Sequence, residues 1–124
     1  MILTLNGVVP AKKNRWHRGN NGQIFFDRKG VQKQIDSLVW QIKAQYKGKP
    51  LFAPVLDIDF YCKNQRGDID NMLSTLLDCM KDAGVIISDN LKHLSGPIRI
   101  NGWLDKKNPR VEINIEVKWG EYGR

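Results

Sequence analysis

The sequence predicts an α/β fold of the α+β kind, with one mixed β-sheet and two main helices packed on it. Two long segments place apolar residues at helical spacing, and several shorter segments alternate apolar and polar residues. Glycine or proline separates most of these segments. A chain of 124 residues fits one domain, so we expect residues 1–124 to form a single unit.

The first half of the chain is predicted to contain two strands and one helix. "ILTLNGVV" forms the first strand and ends at Pro10, residues 11–22 form a loop, and "QIFF" is a short second strand. The helix that follows ends at Gly48-Lys49-Pro50, and Trp40 within it is expected in the core. The apolar residues that recur at helical spacing are Val31, Ile35, Leu38, Val39, Ile42 and Tyr46.

The second half is predicted to contain four strands and the second helix. "PVLDIDFYCK" alternates as a half-buried strand, and a helix spans 70–81 with Gly84 as its C′ residue. The buried side of that helix is formed by Met72, Leu73, Leu76, Leu77 and Met80. "VIIS", "HLSGPIRING" and "RVEINIEVKW" supply three further strands. The predicted order is therefore β-β-α-β-α-β-β-β.

The net charge of +7 is unevenly distributed along the chain. Residues 1–50 carry +8 and residues 51–124 carry −1. Basic residues are mixed with Trp16 and His17 in the N-terminal part, which favours contact with a polyanion over a merely solvated basic face. The candidate DNA contacts in this part are Lys12, Lys13, Arg15, Trp16, Arg18 and Arg28.

The composition also excludes several classes of protein. No apolar run approaches the roughly 20 residues that span a bilayer, and the N-terminal charges follow the apolar part, unlike a signal peptide. We therefore expect a cytoplasmic protein without a membrane partner. Cys62 and Cys79 lack the spacing of metal ligands and are expected to be free thiols.

Three aspartates surround the second predicted helix in "GDIDNMLSTLLDCMKDAGVIISDN". Asp68 and Asp70 stand at its start, and Asp89 follows the apolar "VIIS". One aspartate would suffice as a helix cap, whereas neighbouring carboxylates repel one another unless a cation such as Mg²⁺ binds between them. A metal-dependent nuclease and a DNA-binding module with a well-capped helix both remain open at this point.

Two further acidic patterns accompany this stretch. Asp70, Ser74 and Asp78 follow one another at i, i+4 and i+8 on one stripe of the helix, beside its apolar side. Asp57 and Asp59 share one face of the predicted strand, where a metal site is conceivable. An exposed face with Lys63 as partner is the favoured interpretation of that pair.

The stretch "DIDNMLSTLLDCMKDAGVIISDN" resembles the signature of the RusA family of Holliday junction resolvases. Asp68, Asp70 and Asn71 match the leading Asp-x-Asp-Asn, Asp78 matches the aspartate within the helix, and Asp89 matches the final acidic residue. "VPAKKNRWHR" is similar to the family's proline-containing strand end followed by Asn-Arg-aromatic. The resemblance covers nearly the whole chain.

The resemblance implies a RusA-like fold and a homodimer that binds branched DNA, namely four-way junctions. It implies paired symmetric nicks that leave 5′-phosphates, with Mg²⁺ or Mn²⁺ held by Asp68, Asp70 and Asp89. A role in DNA recombination and repair follows, and a prophage origin is plausible because such genes are common in prophages.

The chain departs from the family pattern at two positions. Ser74 stands where the family often has a lysine near the scissile phosphate, and Ser88 replaces the first acid of a terminal Asp-Asp pair. Lys13, Arg15, Arg66 or a residue of the partner subunit could substitute for the lysine, and Arg66 joins the candidate DNA contacts. The first departure leaves open a junction-binding protein without efficient cleavage.

Overall fold

The structure, a computed structural model, describes residues 1–10, 16–18, 24–26, 28–64, 68–88, 90, 93–94 and 96–117, with the backbone alone for 16–18, 24–26 and 28–29. The strands are β1 (Ile2–Asn6), β2 (Trp16–Arg18), β3 (Ile24–Phe26), β4 (Val55–Cys62), β5 (Ile98–Leu104) and β6 (Arg110–Glu116). The helices are α1 (Arg28–Gln45) and α2 (Ile69–Asp82).

One mixed sheet organises the fold, in the strand order β1-β6-β4-β5. β6 runs antiparallel to both β1 and β4, whereas β4 and β5 are parallel. Parallel neighbours need a crossover, which here includes α2. β2 and β3 form a separate two-stranded antiparallel sheet. The predicted α+β class, with a mixed sheet and two helices, is confirmed.

The core lies between one face of the sheet and the two helices. Alternation in β4 buries Leu56, Ile58 and Phe60, and β6 buries its own alternate residues next to them. These side chains join one apolar cluster with α1 and α2 residues such as Ile42 and Leu76. We call the opposite face of the sheet the open face; it carries Thr4, Asp57, Asp59, Tyr61, Arg99, Asn101, Trp103, Arg110, Glu112 and Asn114.

The outer edge of β1 is covered by two glutamine side chains of α1. Gln45 accepts from the Thr4 N–H (2.9 Å) and donates to the Thr4 carbonyl (2.8 Å). Gln41 does the same for Asn6, at 2.7 and 3.0 Å. The two primary amides therefore take the place of a neighbouring strand, in a geometry that one helical turn between the glutamines allows.

The end of α2 follows from Gly84, as the sequence predicts. Gly84 has a φ of +83°, a conformation that glycine adopts without the cost a Cβ would add. Its N–H donates to Lys81 and the Val85 N–H donates to Met80, at 3.1 and 2.9 Å. This pair of bonds is a Schellman motif, which satisfies the last carbonyls of the helix.

Several sequence predictions need correction. The first strand ends at Asn6 rather than before Pro10, because Gly7 has a φ of +106°. The predicted loop 11–22 contains β2, which pairs with β3. "VIIS" is no strand: within it only Ile86 forms a bridge, to Leu51, although Val85 and Ile86 are buried as predicted.

The prediction for Trp40 is also wrong. Its side chain is 74% exposed, because position 40 lies on the side of α1 opposite the stripe of Leu38 and Ile42. The rest of the predicted apolar stripe is confirmed, with Val39 half-buried against the core. In α2, the predicted residues are buried except Leu73, which packs partly exposed against the same core. Both cysteines are free thiols, as predicted.

Candidate active site

The start of α2 places two carboxylates side by side. Asp68 is the N-cap, with φ −101° and ψ 112°, and its Oδ1 accepts the Asp70 N–H at 3.1 Å. The Asp68 carbonyl accepts the Met72 N–H, also at 3.1 Å. Both side chains are exposed. Asp68 caps the helix, and the Asp70 carboxylate in the first helical turn faces solvent.

The residue between the two aspartates fixes this helix end to the sheet. Ile69 is half-buried against the core, and its Cδ1 would lie only 3.1 Å from a Cβ added at Gly102 in β5. Gly102 therefore leaves the space that Ile69 fills. Because Gly102 is the register partner of Phe60, the two carboxylates lie near the carboxyl ends of β4 and β5.

The remaining residues of the motif lie along α2. Asp70 and Ser74 are exposed, while Asn71 and Asp78 are half-buried, so the predicted stripe borders the apolar side. Thr75 is a fully buried polar residue whose hydroxyl donates to the Asn71 carbonyl at 3.0 Å. Nothing in the sequence marks Thr75 beyond its position within the apolar stripe of α2.

Asp89 lies outside the described residues, and the structure describes its neighbours. Ser88 contacts His93 through Oγ and Nδ1 at 2.8 Å, and the Ala53 N–H donates to the His93 carbonyl at 3.0 Å. These residues adjoin the beginning of β4, whereas α2 starts beside its end. The proximity of Asp89 to Asp68 and Asp70 therefore stays a prediction.

The donors at the start of α2 fit a hard divalent cation. Mg²⁺ takes oxygen ligands, keeps several waters, and is commonly held by one or two carboxylates together with substrate phosphate. Asp68 and Asp70 supply two exposed carboxylates at one helix end. Within the part of the chain that the structure describes, no three His, Cys, Asp or Glu side chains cluster as metal ligands. A third carboxylate would have to come from elsewhere in the chain.

The candidate DNA contacts fall mostly outside the described side chains. Lys12, Lys13, Arg15 and Arg66 are not among the described residues. Trp16 and Arg18 belong to β2, and Arg28 begins α1, with only their backbones described. The structure therefore places three of these positions in elements and leaves their DNA contacts as predictions.

Asp57 and Asp59 lie on the open face, but β5 rather than Lys63 supplies their partners. Asp57 lies 3.6 Å from Arg99 Nη1 and accepts from Asn101 Nδ2 at 3.3 Å. Asp59 accepts from Trp103 Nε1 at 2.9 Å. Lys63 has no such contact among the described residues, so the predicted partnership is wrong.

An aromatic cluster, formed by Tyr61, Trp103 and Arg110, occupies one end of the open face. The two rings stack with centroids 6.4 Å apart and planes inclined by 19°, and Arg110 Cζ lies 3.8 Å from the Tyr61 centroid. Hydrogen bonds from Arg110 to Glu112 (2.8 Å) and Asp105 (3.0 Å) hold the guanidinium. The hydrogen bond to Glu112 contributes most to raising the Arg110 pKa, and that to Asp105 adds to it.

Comparison with known proteins places this geometry in context. The family model described as "Endodeoxyribonuclease RusA" matches residues 7–116, which include both helices and every strand except β1. A protein of Aquifex aeolicus (strain VF5), named "Crossover junction endodeoxyribonuclease RusA", is 35% identical over 91 residues. That alignment covers 72% of this chain and 71% of the relative. Among the described residues, no helix is long and apolar enough to traverse a bilayer.

Proposed function

The chain belongs to the RusA family of endodeoxyribonucleases, and we propose that it resolves four-way (Holliday) DNA junctions by paired symmetric nicks, as a Mg²⁺-dependent homodimer. The observation that carries the proposal is the exposed Asp68–Asp70 pair at the start of α2, in a chain of net charge +7. The name of the relative from Aquifex aeolicus, a crossover junction endodeoxyribonuclease, supports the same substrate.

The proposed metal site consists of Asp68 and Asp70, with Asp89 as third carboxylate on the family resemblance. When bound, Mg²⁺ (or Mn²⁺ in its place) supplies an activated water and neutralises charge on the phosphoryl group. The other residues of the chain contribute by positioning the two carboxylates. The Asp70 N–H fixes Asp68, and Ile69 on Gly102 fixes the helix end that presents both carboxylates.

The start of α2 also suits the substrate. A helix N-terminus carries partial positive charge and attracts phosphate, which offsets part of the repulsion that the two carboxylates exert on DNA. The basic residues before α1 would bind the junction arms through their phosphates, because Lys and Arg neutralise phosphate charge without reading the base sequence. Recognition of the junction then depends on shape and phosphate spacing.

The wider setting belongs to the same proposal. Residues 1–124 act as a single resolvase domain, in the cytoplasm, in DNA recombination and repair, with a prophage as a plausible source. Two active sites in one homodimer explain how two strands are nicked symmetrically.

The experiment that tests the proposal compares a labelled four-way junction with a linear duplex of the same arm sequence, with and without Mg²⁺. We expect paired nicks on the junction alone, and a loss of about a hundredfold or more in Asp70→Asn. Asp82→Asn, an exposed acid at the other end of α2, is the matched control and should cleave normally. Normal cleavage by Asp70→Asn would show that the proposed site is wrong.

Binding measurements on the same variants separate catalysis from DNA affinity. Removing one of two neighbouring negative charges should strengthen junction binding by Asp70→Asn while cleavage disappears. A non-enzymatic DNA-binding module would instead bind junction and duplex similarly, and Asp70→Asn would alter only stability. Asp89→Asn, tested beside it, shows whether the third carboxylate belongs to the site.

A second candidate function is a junction-binding protein that cleaves poorly. The observation in its favour is Ser74, which is exposed on the stripe one turn after Asp70, where the family often has a lysine. This alternative predicts tight junction binding with little metal-dependent product. Ser74→Lys should then increase cleavage without a comparable change in affinity, whereas Ser74→Ala should not.

A further inference from the structure

The outer edge of β5 has no partner strand among the described residues. The Leu56 N–H donates to the Pro97 carbonyl, and the Asp105 N–H donates to the Cys62 carbonyl. In a parallel pair, the residues of one strand that bond to its neighbour alternate along that strand. These two hydrogen bonds therefore show that the odd-numbered residues of β5 are the ones that bond to β4. The N–H and C=O groups of the even-numbered residues Ile98, Ile100, Gly102 and Leu104 therefore point away from the sheet.

The two edges of the sheet differ among the described residues. The β1 edge is closed by the amides of Gln41 and Gln45, which is one way to prevent pairing with another chain. The β5 edge has no such cover in the described chain, and residues 98–104 contain neither lysine nor proline. Trp103 and Leu104 on it are 54% and 52% exposed. The edge carries one charged side chain, Arg99, and an exposed strand edge next to large apolar side chains is a surface for strand pairing.

We propose that β5 pairs antiparallel with β5 of a second copy of this chain, about a two-fold axis at Asn101, so that two sheets become one. This inference rests on the homodimer of the proposed function and specifies its interface. The register follows from the sequence Ile-Arg-Ile-Asn-Gly-Trp-Leu. With Asn101 opposite itself, Ile98 lies opposite Leu104 of the second copy, and Ile100 opposite its Gly102.

Each position in this register meets a complementary partner. Arg99, whose side chain is 78% exposed, lies opposite the exposed ring of Trp103 of the second copy, on the open face of both sheets. A guanidinium over a tryptophan ring is a favourable cation–π contact. On the helix side, Leu104 faces Ile98 of the second copy, and Ile100 lies opposite Gly102, where Ile69 already occupies the space. At the axis, two asparagine amides face each other and can exchange hydrogen bonds.

The pairing would also arrange the two active sites. Ile69 packs on Gly102, which lies one residue from the proposed axis, and Ile69 stands between the two site aspartates. A two-fold axis perpendicular to a continuous sheet keeps both copies of α2 on the same face. The two carboxylate pairs would therefore flank the axis on one surface, as two symmetric nicks in one junction require.

Disulfide trapping tests the register directly. Opposed residues of a non-hydrogen-bonded antiparallel pair have Cα atoms about 4.5 Å apart, within the range that a disulfide spans. Asn101→Cys, in a Cys62→Ser background, should form a covalent dimer under mild oxidation. Asn114→Cys is the matched control, because Asn114 is exposed on the open face but lies in β6, with strands on both sides.

The outcomes separate the interface from the dimer itself. Light scattering should first show a wild-type dimer, and a wild-type monomer would overturn both the homodimer and this interface. If the wild type is a dimer but Asn101→Cys cross-links no faster than Asn114→Cys, the copies meet elsewhere. The homodimer of the proposed function then survives, and the β5 pairing is wrong.

Trp103→Ala provides a second measurement that does not depend on a cysteine. Loss of the ring should weaken dimerisation by about tenfold or more, since aromatic and arginine side chains dominate such interfaces. Trp40→Ala serves as the control, because Trp40 is even more exposed but lies on α1. Unchanged dimerisation of Trp103→Ala would also count against the β5 interface.

Discussion

Replacing Gln41 and Gln45 with alanine should test how the edge of β1 is held. The two side chains make four hydrogen bonds to the Thr4 and Asn6 backbone, at 2.7 to 3.0 Å. Water can replace partners at an exposed site, so each bond is expected to contribute at the lower end of the usual range, about 0.5–1 kcal/mol. Alanine recovers a few tenths of a kcal/mol per position through its higher helix propensity.

The double variant should therefore lose about 1.5–3 kcal/mol of unfolding free energy. Urea denaturation with a shared slope measures this loss as a lower midpoint. Gln34→Ala is the matched control, since Gln34 is an exposed glutamine of α1 without a hydrogen-bond partner among the described residues. A double variant within about 0.5 kcal/mol of that control would refute the view that the amides stabilise β1.

The two single variants show whether the glutamines act as a pair. Gln45 Nε2 also donates to the Gln41 carbonyl at 3.2 Å, but that contact is to the backbone and survives in Gln41→Ala. Their effects should accordingly be close to additive. With both amides removed, the β1 edge presents unpaired backbone groups, so concentration-dependent association should appear in light scattering.

Three further predictions concern other parts of the molecule. Gly84→Ala should lower the free energy of unfolding, measured by urea denaturation, by about 1–2 kcal/mol. Gly84 has a φ of +83° and an added Cβ would meet no atom within 4 Å, so backbone strain is the sole cost. An unchanged free energy of unfolding would contradict this. The hydrogen bond from Arg110 lowers the pKa of Asp105 in the folded protein. The ionised Asp105 carboxylate therefore stabilises the fold at pH values above its unfolded-state pKa, and this stabilisation is lost as the pH falls through its folded-state pKa. Asp105→Asn should therefore destabilise the protein near neutral pH and approach the wild type in acid, and a difference that persists at low pH would refute it. Trp40→Ala should leave stability within about 0.5 kcal/mol of wild type, since the side chain is 74% exposed, and a larger loss would show a missing contact.

The sequence predicted those parts of the fold whose pattern is local. The α1 stripe from Val31 to Tyr46 and the alternation of β4 follow from helix and strand periodicity, so both elements were found. Trp40 is predicted in the core from its place within the helix, whereas its angular position puts it opposite the buried stripe. The apolar run "VIIS" predicts a short buried strand, but a loop bridged to Leu51 buries Val85 and Ile86 as well.

Strand pairing and the partners of polar residues depend on distant parts of the chain. Nothing near Asp59 indicates that Trp103 binds it, and nothing in α1 indicates that Gln45 faces Thr4. At the candidate site, Asp68 and Asp70 were recognisable from their spacing and from the family signature. The contact of Ile69 with Gly102, which positions them, requires the parallel register of β4 and β5.

The position of β6 between β1 and β4 has a consequence for the order of folding. β6, the last of the described strands in sequence, is central in the sheet, and Met1 reaches it through hydrogen bonds with Ile115. During synthesis, β1 and β4 therefore each keep one edge unpaired until Arg110–Glu116 has emerged from the ribosome. Such long-range closure slows folding and leaves the nascent chain open to misassociation. A nascent chain arrested before residue 110 should remain a chaperone client, and release of the last strand should close the sheet in one cooperative step.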